Sequence, residues 1–182
     1  MSQPQRIAFV GNSLPRRCGI ATFTTDLRKA VASLDPGIET CIVAMTDNGR
    51  TYDYPAEVRL EIGDQSIEDY AYAADVLNDG RYDVVSLQHE FGIFGGEAGD
   101  HILTLLNRLS MPVVTTLHTV LSLPSRSQRN VIDRIVAASS RLVVMAEKAR
   151  ELLQKVYGVA AEKIEVIPHG IPDVAFAEPE EA

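Results

Sequence analysis

Cysteine is scarce in this chain, which carries only Cys18 and Cys41. The two residues lie far apart and form no Cys-x-x-Cys pair, so the sequence indicates neither a zinc site nor a redox-active dithiol. Cys41 stands in an apolar run and is expected in the core, whereas Cys18 falls in a loop. Two reduced thiols of this kind are typical of a cytosolic protein.

Long apolar runs are absent as well. No stretch approaches the roughly 18 apolar residues that a membrane-spanning helix needs, and residues 1–5 are too polar to begin a secretory signal peptide. We therefore expect a cytoplasmic protein without a membrane span, for which any contact with a membrane would be peripheral.

Signals for nucleic acids and for the common nucleotide sites are also missing. The net charge is −8, whereas a nucleic-acid binder needs clustered Lys and Arg to contact phosphates. Neither G-x-G-x-x-G nor G-x-x-x-x-G-K-[ST] occurs, so an ordinary dinucleotide or Walker-type site is not indicated. A flavodoxin-like signalling domain is disfavoured because no acidic cluster follows the first apolar segment.

The sequence does contain a regular alternation of short apolar segments and helical patterns. Strands are predicted at 6–11, 39–45, 57–62, 83–87, 112–117, 141–145 and 163–168. The length fits one domain, and the alternation predicts an α/β, Rossmann-like, doubly wound fold with a mostly parallel sheet of about seven strands. The third strand mixes apolar and charged residues, which is typical of a sheet edge.

Helices are predicted between these strands from apolar residues at spacings of three and four. One follows Ser125, which stands at capping-box spacing from Gln128. Another is expected to carry Glu97 and Asp100 in its first turn, where acidic groups favour the positive end of the helix dipole. His101 is expected on the surface of that helix.

The loop after the first strand contains Arg16 and Arg17, followed by Gly19 at the start of a helix. Guanidinium groups beside helix N–H groups suit a phosphate or another anion. The alternative is that Gly19 only permits a tight helix start and that both arginines are solvated.

The loop after the fourth strand runs through residues 88–96. Glu90 either accepts a hydrogen bond from a substrate, acts as a base, or caps the following turn. His89 suits a structural role as well as a ligand-binding one. Gly95 and Gly96 either let a substrate approach the backbone or only make the turn possible.

The fifth strand ends in His118 and Thr119. Because the carboxyl ends of parallel strands meet at one edge of a sheet, the three polar loops are expected to converge there. A metal site formed by His89, Glu90 and His118 would have no recognised ligand spacing, and we expect no metal.

Four segments stand out when taken together, and they read PRRCGIATFT at 15–24, QHEFGIFGG at 88–96, TTLHT at 115–119 and IPHGI at 167–171. In this order and spacing they resemble the amino-terminal half of a glycosyltransferase family 4 (group 1) enzyme. The resemblance implies the GT-B architecture, in which two Rossmann-like domains face each other across a cleft. It also implies a retaining transfer of a sugar from a nucleotide-sugar to an acceptor, with no metal or other cofactor required.

The resemblance also implies roles for individual positions. His118 matches the histidine that faces the transferred sugar, and Gly19 matches the glycine-rich loop that approaches the donor phosphate or the acceptor. Cys18 stands where a second glycine is frequent, and His169 resembles part of the interdomain linker. With Glu90 as a candidate base beside the catalytic His118, the expected substrate-binding residues are Arg16, Arg17, Gly19, His89, Gly95, Gly96, Thr119, His169 and Gly170.

Residues 1–173 would then form the acceptor-side domain, followed by an acidic tail at 174–182 that is expected to be disordered. The donor-binding half of the family, with its two glutamates seven residues apart, has no counterpart in this sequence. We therefore expect the chain to be inactive alone, and an exposed docking face would favour homodimers. The alternative is a standalone Rossmann-like module that binds a phosphorylated metabolite or a protein partner.

Overall fold

A computed structural model describes residues 4–170 of the chain. Its strands are β1 (Arg6–Gly11), β2 (Glu39–Thr46), β3 (Val58–Gly63), β4 (Val84–His89), β5 (Val113–Leu117), β6 (Arg141–Val144) and β7 (Ile164–Val166). Its helices are α1 (Gly19–Leu34), α2 (Ile67–Asp79), α3 (Ile102–Leu106), α4 (Arg126–Ala138) and α5 (Glu147–Tyr157). Short 3-10 turns occupy Phe91–Ile93, Glu97–Gly99 and Ala161–Lys163. The tail expected at 174–182 lies outside the described residues.

The strands form one sheet in the order β3-β2-β1-β4-β5-β6-β7. Every neighbouring pair is parallel, which confirms the predicted Rossmann-like α/β fold. The predicted edge position of β3 is also confirmed. The strand order reverses between β1 and β4, and open α/β sheets bind ligands at the carboxyl ends of the strands at such a point.

The core lies on both faces of the sheet because successive strand residues point to opposite sides. On β1, Ala8 and Val10 belong to the larger apolar cluster, which includes side chains of α2, α3, α4 and α5. Ile7 and Phe9 belong to the smaller cluster, which Leu27 and Val31 of α1 complete. The end of β1 is thus held between two packed layers.

The capping box predicted at Ser125 is confirmed, and two other helix ends are capped by local contacts or conformations. Ser125 and the side chain of Gln128 form a reciprocal capping box at the start of α4. Ser66 accepts a hydrogen bond from the backbone N–H of Asp69 at the start of α2. Gly158 ends α5 in the left-handed conformation, at φ 70°.

The prediction for the third helix is wrong at its start. Glu97 lies in a separate 3-10 turn, and Asp100 precedes α3, which spans only Ile102–Leu106. Ala98 and Gly99 have φ values of 56° and 79°, which no continuous helix can contain. These left-handed residues redirect the chain before α3 begins.

His101 is likewise not a surface residue. Its side chain is half-buried, and its Nδ1 atom lies 3.4 Å from the carbonyl oxygen of Asp64. Its ring also stands edge-on to Tyr70, with the centroids 6.0 Å apart. His101 therefore fastens the loop after β4 to the end of β3.

None of the helices within residues 4–170 has the length and apolar character that a membrane crossing requires.

Candidate functional site

The carboxyl ends of β1, β4 and β5 meet at the centre of one sheet edge. Gly11 lies beside Gln88 there, and a Cβ atom at Gly11 would come within 2.9 Å of the Gln88 Cβ and 3.2 Å of the Thr24 Oγ1. A side chain at Gly11 would therefore displace that of Gln88, which is buried. The glycine allows Gln88 to lie across the end of β1.

His118 follows β5 and lies directly beside Gln88. Its Nε2 atom is 3.1 Å from the Gln88 Oε1, while the Gln88 Nε2 donates to the Ser86 Oγ at 3.1 Å. The ring of Phe23 stands edge-on to the imidazole at 4.8 Å. Since the Gln88 oxygen is an acceptor, the neutral imidazole carries its proton on Nε2 and leaves Nδ1 as an acceptor.

The environment keeps the His118 ring uncharged. Burial, with a smaller contribution from the nearby His169, lowers the pKa of His118 from 6.5 to about 4. At neutral pH the ring can therefore accept a hydrogen bond at Nδ1 without bringing a positive charge to this edge.

His169 approaches the same point from the other end of the chain. Its ring stands edge-on to Phe23, with the centroids 5.6 Å apart, so Phe23 contacts both histidines. Gly170, the last described residue, is exposed and would have nothing within 4 Å of an added Cβ.

His89 points into the larger apolar layer, away from Gln88. Its side chain is completely buried, with Phe91 edge-on at 5.0 Å and Phe94 stacked at 5.8 Å. Neither ring nitrogen has a hydrogen-bond partner among residues 4–170. Burial lowers the pKa of His89 to about 3, with His118 adding to the shift, so the ring is neutral and packs as part of the core.

Glu90 and Thr119 join the loops after β4 and β5. One carboxylate oxygen of Glu90 accepts a hydrogen bond from the backbone N–H of Phe91 at 3.0 Å. The other accepts one from the hydroxyl of Thr119. Both oxygens are thus engaged within the domain, in the capping arrangement that was one of the expected alternatives.

Gly95 and Gly96 meet steric demands inside the loop. A Cβ at Gly95 would lie 2.0 Å from the carbonyl oxygen of Asp64, and one at Gly96 would lie 2.0 Å from the Asp100 Oδ1. The N–H of Gly95 also donates to the hydroxyl of Tyr70 at 3.2 Å. Burial raises the pKa of that hydroxyl, which remains a neutral donor and acceptor. The turn itself therefore requires both glycines.

The arginines of the loop after β1 have different surroundings. Arg16 donates to the Asn12 Oδ1 at 3.1 Å and forms an ion pair with Asp47 at 2.9 Å. Arg17 is exposed and has no ion-pair or hydrogen-bond partner among residues 4–170. Gly19 is exposed, and nothing lies within 4 Å of an added Cβ there. The Cys18 thiol accepts a hydrogen bond from the Ala21 N–H at 3.4 Å and caps α1.

Seven of the expected residues form two groups along the edge, whereas His89 packs in the core and Gly95 and Gly96 serve the turn after β4. His118, Glu90, Thr119 and His169 lie near the ends of β4 and β5, whereas Arg16, Arg17 and Gly19 lie near the end of β1. Within the described part of the chain, no three His, Cys, Asp or Glu side chains cluster so as to hold a metal ion.

The model of Glycosyltransferase Family 4 matches residues 18–174, which is most of the chain. The chain belongs to glycosyltransferase family 4. The match includes all four segments that carried the resemblance, except residues 15–17 of the first. No curated protein matches the sequence significantly.

Solved structures share the fold of this family 4 domain. A glycosyltransferase from Rickettsia africae ESF-5 superposes with a TM-score of 0.61 at 17% identity, over 92% of this chain and 44% of that one. UDP-GlcNAc 2-epimerase from Neisseria meningitidis, bound to UDP-GlcNAc, has a TM-score of 0.55 at 14% identity, over 88% and 45% of the two chains.

An α-glucosyltransferase in complex with UDP and a 13-mer DNA has a TM-score of 0.54 at 16% identity, over 81% of this chain and 39% of that one. At such identities the likeness shows the fold alone. The family 4 chain spans less than half the length of each of these three structures.

Sequence reasoning did not single out Asn12, Phe23 or Gln88 as site residues. Gln88 stood within the polar loop, and Asn12 directly follows the glycine that ends β1, so both had a positional signal. Phe23 fitted the apolar face of α1, and its contacts with two histidines depend on residues nearly 100 and 150 positions away.

Proposed function

We propose that this family 4 domain is the acceptor-side half of a retaining glycosyltransferase that uses a nucleotide-sugar, with His118 beside the transferred sugar. The observation that carries the proposal is the neutral imidazole fixed at the centre of the sheet edge by Gln88 and Phe23. Family membership supports the reaction class, and the switch in strand order supports the location.

The chemistry favours an uncharged ring at this point. Cleavage of a glycosidic bond passes through a transition state that resembles an oxocarbenium ion. An imidazolium beside it would repel the developing positive charge, whereas neutral His118 can accept a hydrogen bond from a sugar hydroxyl at Nδ1. The hydrogen bond from Nε2 to Gln88 fixes the ring orientation and the tautomer. Burial, which lowers the pKa, would therefore serve catalysis directly.

The proposal assigns the nucleotide contacts to a second, donor-binding domain. The chain alone should then transfer no sugar, since it would supply only one wall of the cleft. The test is product formation by the 182-residue chain with UDP-, GDP- and ADP-sugars. Any transfer catalysed by the chain alone would refute this part of the proposal.

The role of His118 can be tested in the enzyme that includes the donor-binding domain. His118→Ala should lower kcat by about a hundredfold, which is typical of lost transition-state interactions, without changing the melting temperature by more than a few degrees. His118→Asn, which keeps an acceptor near the Nδ1 position, should be more active than His118→Gln, which keeps only a group near Nε2. Near-normal turnover of His118→Ala would refute the assignment, and the anomeric configuration of the product, read by NMR, tests retention.

A further inference from the structure

An open cleft of about 610 Å³ lies between the loop after β1 and the loop after β2. It is lined by Pro15, Arg16, Arg17, Asp47, Arg50 and Tyr52, and we call it the arginine cleft. Its lining includes three arginines and one aspartate, on a chain whose net charge is −8. The local charge is thus opposite in sign to that of the protein as a whole.

The single carboxylate of the arginine cleft is already engaged. One oxygen of Asp47 pairs with Arg16 at 2.9 Å, and the other accepts a hydrogen bond from the Tyr52 hydroxyl at 2.8 Å. Arg16 is held in turn by Asn12. These contacts fasten the two loops together, and Asp47 forms its ion pair with Arg16 and with neither of the other two arginines.

Arg17 and Arg50 retain their positive charges. Both are exposed, and neither side chain forms an ion pair or hydrogen bond among residues 4–170. Two guanidinium groups present forked donors that match the oxygens of a phosphate, and their summed charge balances a phosphate monoester, which carries about −1.5 to −2 at neutral pH. We infer that the arginine cleft is a subsite for a phosphate group, held between Arg17 and Arg50 and positioned by the Arg16–Asp47 pair.

The strand order favours the acceptor as the molecule that carries this phosphate. The cleft lies at the ends of β1 and β2, two to three strands from β5, so it is about 10–14 Å along the sheet edge from His118 at a strand spacing of about 4.8 Å. The leaving phosphate of a nucleotide-sugar is bonded to the transferred sugar and must lie beside the reacting carbon. This separation favours the other substrate, the acceptor, as the molecule that carries the phosphate. This assignment, though not the phosphate site itself, rests on the proposed function.

The site can be tested on the 182-residue chain by NMR titration with inorganic phosphate at constant ionic strength. Saturable shifts should occur in the loops after β1 and β2. Arg17→Gln and Arg50→Gln should each weaken phosphate binding about tenfold, the effect expected for a lost charge-assisted hydrogen bond. Arg134→Gln removes an exposed arginine on α4 that has no ion-pair or hydrogen-bond partner among residues 4–170, and it should weaken phosphate binding less than about twofold.

Equal weakening by Arg134→Gln would show a general charge effect and overturn the site. Parent-like binding by Arg17→Gln and Arg50→Gln, or no saturable shift at all, would do the same. Circular dichroism spectra and melting temperatures of all variants should match the parent, since the replaced side chains are exposed.

The source of the phosphate is tested with the enzyme that includes the donor-binding domain. The probe is whichever of UDP, GDP and ADP binds most tightly, measured by calorimetry. Arg17→Gln and Arg50→Gln should leave this affinity within about twofold of the parent, and a tenfold loss would assign the cleft to the donor diphosphate instead. The phosphate titration does not depend on transfer, so loss of the His118 assignment would leave it standing, and its own failure would leave His118 untouched.

Discussion

The Nε2 atom of His118 lies 3.1 Å from the Oε1 atom of Gln88, although 30 residues separate them in sequence. The contact exists because β4 and β5 are neighbours and end at the same level, with Gln88 paired to Thr116. The protonation of the His118 imidazole therefore depends on which hydrogen-bonding group stands at position 88.

Replacing Gln88 by Glu should raise the pKa of His118 by at least about one unit. A carboxylate at hydrogen-bond distance favours the charged ring and opposes the effect of burial, which holds the pKa at about 4. NMR titration of the imidazole signals measures the change. Ser86→Ala, which removes the partner of the Gln88 amide nitrogen but keeps the oxygen at His118, should change the pKa much less. An unchanged pKa in Gln88→Glu would contradict the contact.

Under the proposed function, replacing Glu90 by Gln should lower kcat of a two-domain enzyme that contains this chain by less than about tenfold. Both Glu90 oxygens accept hydrogen bonds within the domain, so we expect the residue to position the loop. Thr119→Val removes the same link and should have a similar effect. A general base would contribute about 10²–10⁴-fold, so a loss of that size in Glu90→Gln alone would favour the base.

Replacing Gly95 by Ala should destabilise the domain by about 3 kcal/mol or more, toward the upper end for overpacked sites. The new Cβ would lie 2.0 Å from a backbone oxygen, which cannot move as a side chain can. Gly92→Ala is the matched control in the same loop, because nothing lies within 4 Å of its Cβ. Urea denaturation of both variants gives the comparison, and equal stabilities would contradict the packing described.

The stability of the domain should fall as the pH decreases below about 6.5. The pKa of His89 is about 3 in the folded chain and about 6.5 when exposed, so between these values the unfolded chain binds a proton that the folded chain does not. His118 has the same sign, with a window from about 6.5 to 4. Each group contributes a slope of about 1.4 kcal/mol per pH unit well inside its window.

Replacing His89 by Met removes one of these protons and should lower the slope of unfolding free energy between pH 6 and 5 by up to about 1.4 kcal/mol per unit. Met also fits the apolar space between Phe91 and Phe94. Denaturant titrations at three or four pH values measure the slope. An unchanged slope would mean that His89 does not titrate on unfolding as its burial requires.

Local patterns predicted much of the fold. The capping box at Ser125 and the edge position of β3 both depend on near neighbours in sequence, and both are confirmed. The convergence of the strand ends followed from the general behaviour of parallel sheets. His118 beside the loop after β4 is therefore a result that topology alone could anticipate.

The sequence patterns did not predict contacts between residues that are far apart in the chain. His101 stands in a sequence pattern that is typical of a helix, but its half-buried position depends on its contact with the carbonyl oxygen of Asp64, 37 residues away. The ion pair between Arg16 and Asp47 joins two loops, and no pattern in the neighbouring sequence indicates it. The start of α3 was mispredicted because Ala98 has a left-handed conformation, which the spacing of apolar side chains does not indicate.

Phe23 contacts both His118 and His169, so the segment after β7 passes close to the central imidazole. Under the proposed function, a second domain joined through this segment would hinge next to His118. Movement of that domain would shift the His169 ring against Phe23, the side chain that stands edge-on to His118, so that closure of the domains and the position of the imidazole would be coupled.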